Sequence, residues 1–165
     1  MIPPSRNELL VYLADLVEEL ERYAVTVLPP DDRDEITLGR ERDGGLIIDL
    51  SGHLPTSPRS RIAELELFER WRLIGPDQWA CFEYTYELRH HAIGYRRAFH
   101  RHDEDHFVRR YGVATHEHCE ATLGIEVCGH YHGRPVVDAF DGFRRLYDTW
   151  LSDQGPDCSA LVCIG

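Results

Sequence analysis

Apolar and polar residues alternate along the middle of the chain, which is the pattern of strands that bury one face. Between residues 62 and 73 the inward positions are Ala63, Leu65, Leu67, Trp71 and Leu73. Between residues 78 and 88, after the turn signal Gly75-Pro76-Asp77, the inward positions are Ala80, Phe82, Tyr84, Tyr86 and Leu88. Further strands are predicted over 35–42 and 46–50, which form a hairpin, and over 93–103, within 106–120, and over 123–132.

Helical spacing replaces this alternation at both ends of the chain. Ser5-Arg6-Asn7-Glu8 has the form of a capping box, and the apolar stripe that follows predicts a helix over about residues 6–23. Pro135 and a second stripe, from Val136 to Trp150, predict a helix that ends before Gly155-Pro156. We therefore predict an α+β fold, in which both helices pack on one face of an antiparallel sheet of about four to six strands. Residues 1–155 would form a single domain, and 156–165 a C-terminal tail.

The turn between the second and third long strands decides which side chains share a face. If His90 and His91 form a two-residue loop, Tyr86 lies opposite Tyr95, and Thr85 lies opposite Arg96. The predicted core face then holds Tyr84, Tyr86, Tyr95 and Phe99. The predicted polar face holds Glu83, Glu87, Arg96, His100 and His102. A shift of one residue in this register would exchange the two faces.

Charge and composition exclude several functions. The chain has 165 residues and a formal net charge of -11, so it does not bind nucleic acid through its whole surface. All 18 Lys and Arg residues are arginine, which excludes lysine-dependent catalysis. Residues 88–111 nevertheless hold six arginines against three acids, which makes this stretch locally basic.

Cysteine usage and hydropathy bear on the compartment. The five cysteines have no Cys-x-x-Cys spacing, which argues against a disulfide framework or a zinc ribbon and indicates buried thiols. No apolar run approaches the roughly 20 residues that span a bilayer, and we expect a cytoplasmic protein without membrane association. The apolar stripe of the first helix could cover the sheet or build a homodimer, and both alternatives stay open.

The candidate chemistry lies in three His-x-His pairs, His100/His102, His116/His118 and His130/His132, which fall within 33 residues. Residues i and i+2 of a strand project from the same face, so each pair would present two imidazoles side by side. One interpretation is a Zn, Mn or Fe site, with His100, His102, His116 and His118 as ligands and Glu117, Glu120 or Asp103 completing the set.

A second interpretation needs no metal. Two of the histidines His100, His102, His116 and His118 would act as base and acid on an RNA 2'-hydroxyl and its leaving oxygen. The phosphate would be held by Arg96, Arg97 or Arg101, and bases would stack on Tyr84, Tyr86 or Tyr95. Further alternatives are a small metal-dependent enzyme that acts on a metabolite, and a histidine-rich module that binds a metal or docks a partner without catalysis.

Three short motifs resemble the core of the TumE-type toxins of toxin–antitoxin modules. They are Tyr84-Thr85-Tyr86, the segment from Tyr95 to Asp103, and His116-Glu117-His118. The resemblance covers about 45 residues, and the chain has Asp103-Glu104-Asp105-His106 where the family has Asp-Asn-x-Pro-His. It implies a growth-inhibiting ribonuclease toxin with an antitoxin partner, and it implies catalytic roles for His100, His102, His116, His118, Arg97 and Asp103.

Overall fold

In a computed structural model of the protein, the described elements are two helices that enclose a run of strands. Helix α1 spans Arg6–Arg22, and helix α2 spans Ala139–Leu151. The strands are β1 (Thr26–Leu28), β2 (Gly39–Arg40), β3 (Leu46–Leu54), β4 (Ala63–Gly75), β5 (Gln78–His90), β6 (Tyr95–Arg101), β7 (Thr115–Thr122) and β8 (Ile125–Tyr131). The structure describes residues 3–29, 36–54, 62–91, 94–101, 109, 115–122, 125–131 and 136–151, and of residues 116, 118–122 and 125–131 it describes the backbone alone.

Helix α1 begins where the sequence predicts it. The backbone N–H of Ser5 donates to Glu8 Oε2 (2.7 Å), and the N–H of Glu8 donates to Ser5 Oγ (3.3 Å), so the predicted capping box is formed. The helix ends at Arg22, and Ala24 follows with a positive φ of 58°. The buried stripe of α1 is formed by Leu9, Leu13, Leu16 and Leu20.

All strand pairs in the described sheet are antiparallel. The strand order is β1-β3-β4-β5-β6-β7-β8, and β2 pairs with β3 beside this path. Six of the strands, β3 to β8, have seven or more residues, and the other two are short. The predicted α+β fold is therefore confirmed, with two short strands added to the four to six that were expected. The predicted tail, 156–165, lies outside the described residues.

Both helices bury apolar side chains in one core against the same face of the sheet. The core includes Leu16 from α1, Leu67 and Tyr86 from the sheet, and Phe143 from α2. Helix α2 starts at Ala139, later than Pro135 suggested, because Asp138 caps it through Oδ1, which accepts from the N–H of Asp141 (2.9 Å). A Cβ added at Gly142 would clash with the Tyr86 ring, so glycine allows α2 to lie directly on β5.

The predicted register of the β5–β6 hairpin is wrong, although the predicted faces are correct. His90 pairs with Tyr95, Tyr86 lies opposite Phe99, and Thr85 lies opposite His100. The turn therefore has four residues instead of two, and Gly94 adopts a positive φ of 67° in it. Because the error is four residues, an even number, the tyrosines and Phe99 stay on the predicted core face, and Glu87, Arg96 and His100 stay on the predicted polar face. The inward position predicted for Phe82 is wrong, because an irregularity in the β4–β5 register at Trp71 places Cys81 against the core instead.

A buried carboxylate, that of Glu69, joins the sheet to both helices. Its Oε1 accepts from the hydroxyls of Tyr12 in α1 (2.8 Å) and Tyr86 in β5 (2.6 Å), and its Oε2 accepts from the indole N–H of Trp71 (2.9 Å). The Tyr12 oxygen in turn accepts from the backbone N–H of Ala139, the first residue of α2 (3.0 Å). Burial raises the pKa of Glu69, and the three donors oppose that rise.

Replacing Tyr12 by phenylalanine tests whether this hydrogen-bond network joins the helices to the sheet. Tyr12→Phe leaves the Ala139 N–H without its acceptor and Glu69 without one of its donors, so we expect a loss of about 1–3 kcal/mol in the free energy of unfolding. Chemical denaturation measures it. Tyr147→Phe is the matched control, because Tyr147 also packs against the core and no described residue bonds to its hydroxyl. Equal losses of unfolding free energy in the two variants would contradict the role of the Tyr12 hydroxyl in joining the helices to the sheet.

Candidate active site

The candidate site lies on the face of the sheet opposite α1 and α2 (the helix-free face, named for the absence of these two helices). Cross-strand pairing sets its layout in rows. One row across β5, β6 and β7 is Glu87, Ala98 and His118. The adjacent row on one side is Thr85, His100 and His116, and the row on the other side is Arg89, Arg96 and Glu120. Directly opposed residues have Cβ atoms about 5 Å apart, so the register places His116 beside His100.

Glu87 is at the centre of the described part of this face. It is only 1% exposed, although it lies on the face opposite α1 and α2. The Arg96 guanidinium holds it through two hydrogen bonds, Nε to Oε1 (2.8 Å) and an Nη2 to Oε2 (3.0 Å). Arg89 also pairs with Oε1, and His100 Nε2 lies 3.9 Å from Oε2. One buried carboxylate thus contacts two arginines and lies close to an imidazole.

The charge of Glu87 follows from these contacts. Burial alone would raise the pKa of its carboxyl, but the hydrogen bonds and positive charges of Arg96 and Arg89 outweigh that effect and hold the pKa below the ordinary value. Glu87 is therefore a carboxylate at neutral pH. A carboxylate at this position stabilises His100 when the imidazole is protonated.

A shallow cleft of about 230 Å³ adjoins this cluster on the same face. Its polar lining includes Asp49, His53, Glu64, Glu66, Glu87 and Arg89. Burial raises the pKa of Glu66, the charge of Arg89 opposes the rise, and the charge of Glu87 adds to it. Arg89 bonds to Glu66 across the cleft (3.2 Å). Arg89 therefore connects a second carboxyl group, that of Glu66, to the Glu87 cluster.

The other predicted phosphate ligands lie on the helix side of the sheet. Arg97 pairs with Glu117 and donates to Thr149 Oγ1 in α2 (2.9 Å), so it contributes to helix docking. Arg101 lies opposite Tyr84, on that same side. Of the three arginines proposed to hold phosphate, Arg96 shares a face with His100.

The tyrosines proposed to stack on bases also lie against the helices. Tyr84 and Tyr86 are buried and stack on each other, with ring centroids 4.5 Å apart. Tyr95 packs on Trp150 of α2 with a centroid distance of 5.0 Å. Burial also raises the pKa of Tyr84 to about 12, which makes its hydroxyl a weaker proton donor.

The remaining candidates are placed by the backbone or fall outside the description. His116 and His118 share the face of His100 by register, whereas His130 lies opposite Glu117, on the helix side. His102, Asp103 and His132 lie outside the described residues. Among the side chains that are described, no group of three or more His, Cys, Asp or Glu residues is arranged to hold a metal ion. The predicted Zn, Mn or Fe site stays a prediction.

The sequence does not mark two of the site's main residues, Glu87 and Arg89, as site residues. Glu87 was predicted to lie on the polar face, but no motif separates a central carboxylate from an ordinary polar position of a strand. Arg89 lies beside the predicted hairpin turn and was not assigned to either face. The pairing of β5 with β4 and β6 brings Arg89 next to Glu66 and Arg96, and this pairing has no local signature.

Comparison with known proteins gives no family assignment. No protein-family model matches the chain, and neither a curated protein nor a solved structure matches it. Among the helices that the structure describes, none is long and apolar enough to cross a membrane.

Replacing Glu87 by glutamine tests the cluster through the pH dependence of stability. A carboxyl group with a lowered pKa stabilises the fold above its ordinary value of 4.5, and this contribution is lost as the pH falls through the lowered value. We expect Glu87→Gln to cost about 1–2 kcal/mol at pH 7 and progressively less below about pH 4.5. Urea denaturation at a series of pH values measures the difference.

The control for this prediction is Glu83→Gln. Glu83 lies on the same strand and pairs with Arg70 (2.9 Å), but its side chain is 27% exposed, and we expect a smaller loss at pH 7. If Glu87→Gln lowers the free energy of unfolding by the same amount at pH 7 and at pH 3, the stabilising charge of Glu87 is contradicted.

Proposed function

We propose that this protein is a toxin-like ribonuclease of a toxin–antitoxin module, and that it cleaves RNA by histidine acid–base catalysis on the helix-free face. The observation that carries the proposal is the position of His100 beside a buried carboxylate, Glu87, that is held between Arg89 and Arg96. The toxin part of the proposal, and the antitoxin partner, come from the resemblance of three short motifs to TumE-type toxins.

The proposed chemistry needs two proton carriers. One histidine takes the proton of the RNA 2'-hydroxyl, whose oxygen attacks the adjacent phosphorus. The other gives a proton to the departing 5'-oxygen, so the products end in a 2',3'-cyclic phosphate and a 5'-hydroxyl. His100 and His116 are the proposed pair, because they are directly opposed across β6 and β7.

The arginines would supply the positive charge. Arg96 is 22% exposed and Arg89 is 37% exposed, so both guanidinium groups reach solvent while they hold Glu87. A phosphate at this position would meet fixed cations, and its charge grows in the pentavalent transition state. Glu87 would position the two arginines and stabilise the protonated form of His100.

The net charge of the chain restricts RNA binding to a small part of its surface. A net charge of -11 repels the phosphate backbone over most of the surface. Recognition would therefore depend on the basic stretch that carries β6. A short or single-stranded RNA segment fits this requirement better than a long duplex, because it needs fewer phosphate contacts.

Cleavage of a single-stranded RNA by purified variants tests the proposal. We expect His100→Ala to lower the cleavage rate by about a hundredfold to ten-thousandfold, which is the range for loss of a general acid or base. If the wild-type chain inhibits growth, it is co-expressed with the product of its neighbouring gene. Growth inhibition by the chain alone then provides a second measurement.

The matched control is His91→Ala. His91 lies beside a carboxylate, that of Glu64 (3.0 Å), just as His100 lies near Glu87. Unlike His100, His91 is exposed at the end of the hairpin. We expect this variant to retain the wild-type rate. Full activity in a His100/His102/His116/His118 quadruple alanine variant that remains folded, or no cleavage by the wild type, would contradict the proposal.

A further inference from the structure

A second pocket, of about 470 Å³, lies on the opposite side of the sheet, under the first turns of α1 and α2. Its walls are mostly apolar, and five of the lining residues are aromatic: Tyr12, Trp71, Trp79, Tyr84 and Tyr86. A volume of a few hundred Å³ with apolar walls and few polar groups is typical of a site for a small organic molecule. Nothing in the proposed RNA chemistry uses this pocket, because His100 and Glu87 face the other way.

The charged groups in the pocket indicate the sign of a ligand. Glu69 already accepts from Tyr12, Tyr86 and Trp71, so both of its oxygens have donors within the protein. Asp138 caps helix α2 through its Oδ1. Arg101 differs from both, because its Nε is buried and none of the described residues gives its guanidinium a hydrogen bond or an ion pair.

A partly buried guanidinium that has no carboxylate partner among the described side chains favours an anion. Arginine binds carboxylates through paired N–H donors, and such charge-assisted bonds are stronger where water is scarce. The rings beside Arg101 favour a flat ligand, since Tyr84 lies directly opposite it in the register and is only 4% exposed.

We propose that this pocket binds a small planar aromatic carboxylate. The carboxylate lies on the guanidinium of Arg101, and the ring packs against the aromatic walls near Tyr84 and Trp79. This proposal does not rest on the proposed ribonuclease function. Binding and RNA cleavage are measured separately, and either can fail alone.

Isothermal titration of the full chain with 2-naphthoate tests the proposal. We expect saturable binding at one site, and we expect Arg101→Gln to weaken it by about tenfold to a hundredfold, as for the loss of a charge-assisted hydrogen bond. Arg72→Gln is the matched control, because Arg72 lies on the helix-free face over Phe82, and its affinity should equal that of the wild type.

Two further probes use the unchanged protein, so they decide the question even if Arg101→Gln does not fold. The neutral 2-naphthamide has the same ring without the charge, and we expect it to bind at least tenfold more weakly than 2-naphthoate. The cation 2-naphthylmethylamine should bind more weakly still. Preference for the amine would assign the pocket to cations through Glu69 and Asp138, and would overturn the proposal. Equal affinity for naphthoate and naphthamide, or no binding of naphthoate at 1 mM, would overturn it as well.

Discussion

The hydrogen bonds to Glu69 determine how the helices meet the sheet. A carboxylate that is 1% exposed is costly to bury, and three side-chain donors from α1, β4 and β5 offset that cost. The Tyr12 hydroxyl continues the network to the backbone of Ala139 at the start of α2. Both helices are thereby fixed on one face of the sheet, and the opposite face is left for charged side chains.

Strand β6 shows how one short segment serves both faces. Arg97, Phe99 and Arg101 belong to the helix side, whereas Arg96 and His100 belong to the helix-free side. Alternation along the strand therefore divides the arginines between two tasks. Arg97 pairs with Glu117 of β7 and bonds to Thr149 of α2, while Arg96 holds Glu87 next to His100. Neighbouring residues of the same type have different roles because the pleat separates them.

Much of the fold could be predicted from the sequence. The capping box at Ser5, the apolar stripes of both helices and most of the alternation in β4 and β5 are local signals that the structure bears out. The alternation fails at Leu73, which is 57% exposed, and at Phe82, because the β4–β5 register is irregular there. The β5–β6 register could not be predicted, because His90-His91 has no turn chemistry and the signal for the turn is a single glycine, Gly94. The assignment of β6 residues to the two faces is nevertheless correct, because the register error is an even number of residues.

Less of the candidate site could be predicted. His100 was identified from its motif, but the importance of Glu87 arises from pairing with β6, which brings Arg96 beside it. Glu69 did leave a signal, since it occupies a position in phase with the buried residues Leu65 and Leu67. A charged residue in phase with a buried face indicates a satisfied polar network or a site. Its three donors come from distant segments, so their identity requires the structure.

The most direct test of the proposed catalysis is the chemistry of the RNA ends that the wild-type protein produces in the presence of EDTA. Acid–base catalysis by paired histidines generates a 2',3'-cyclic phosphate and a 5'-hydroxyl, and its rate is unaffected by the chelator. Mass spectrometry of a cleaved oligonucleotide identifies these ends. Fragments with 5'-phosphate and 3'-hydroxyl ends, or cleavage that stops on chelation, would contradict the account and indicate metal-assisted hydrolysis.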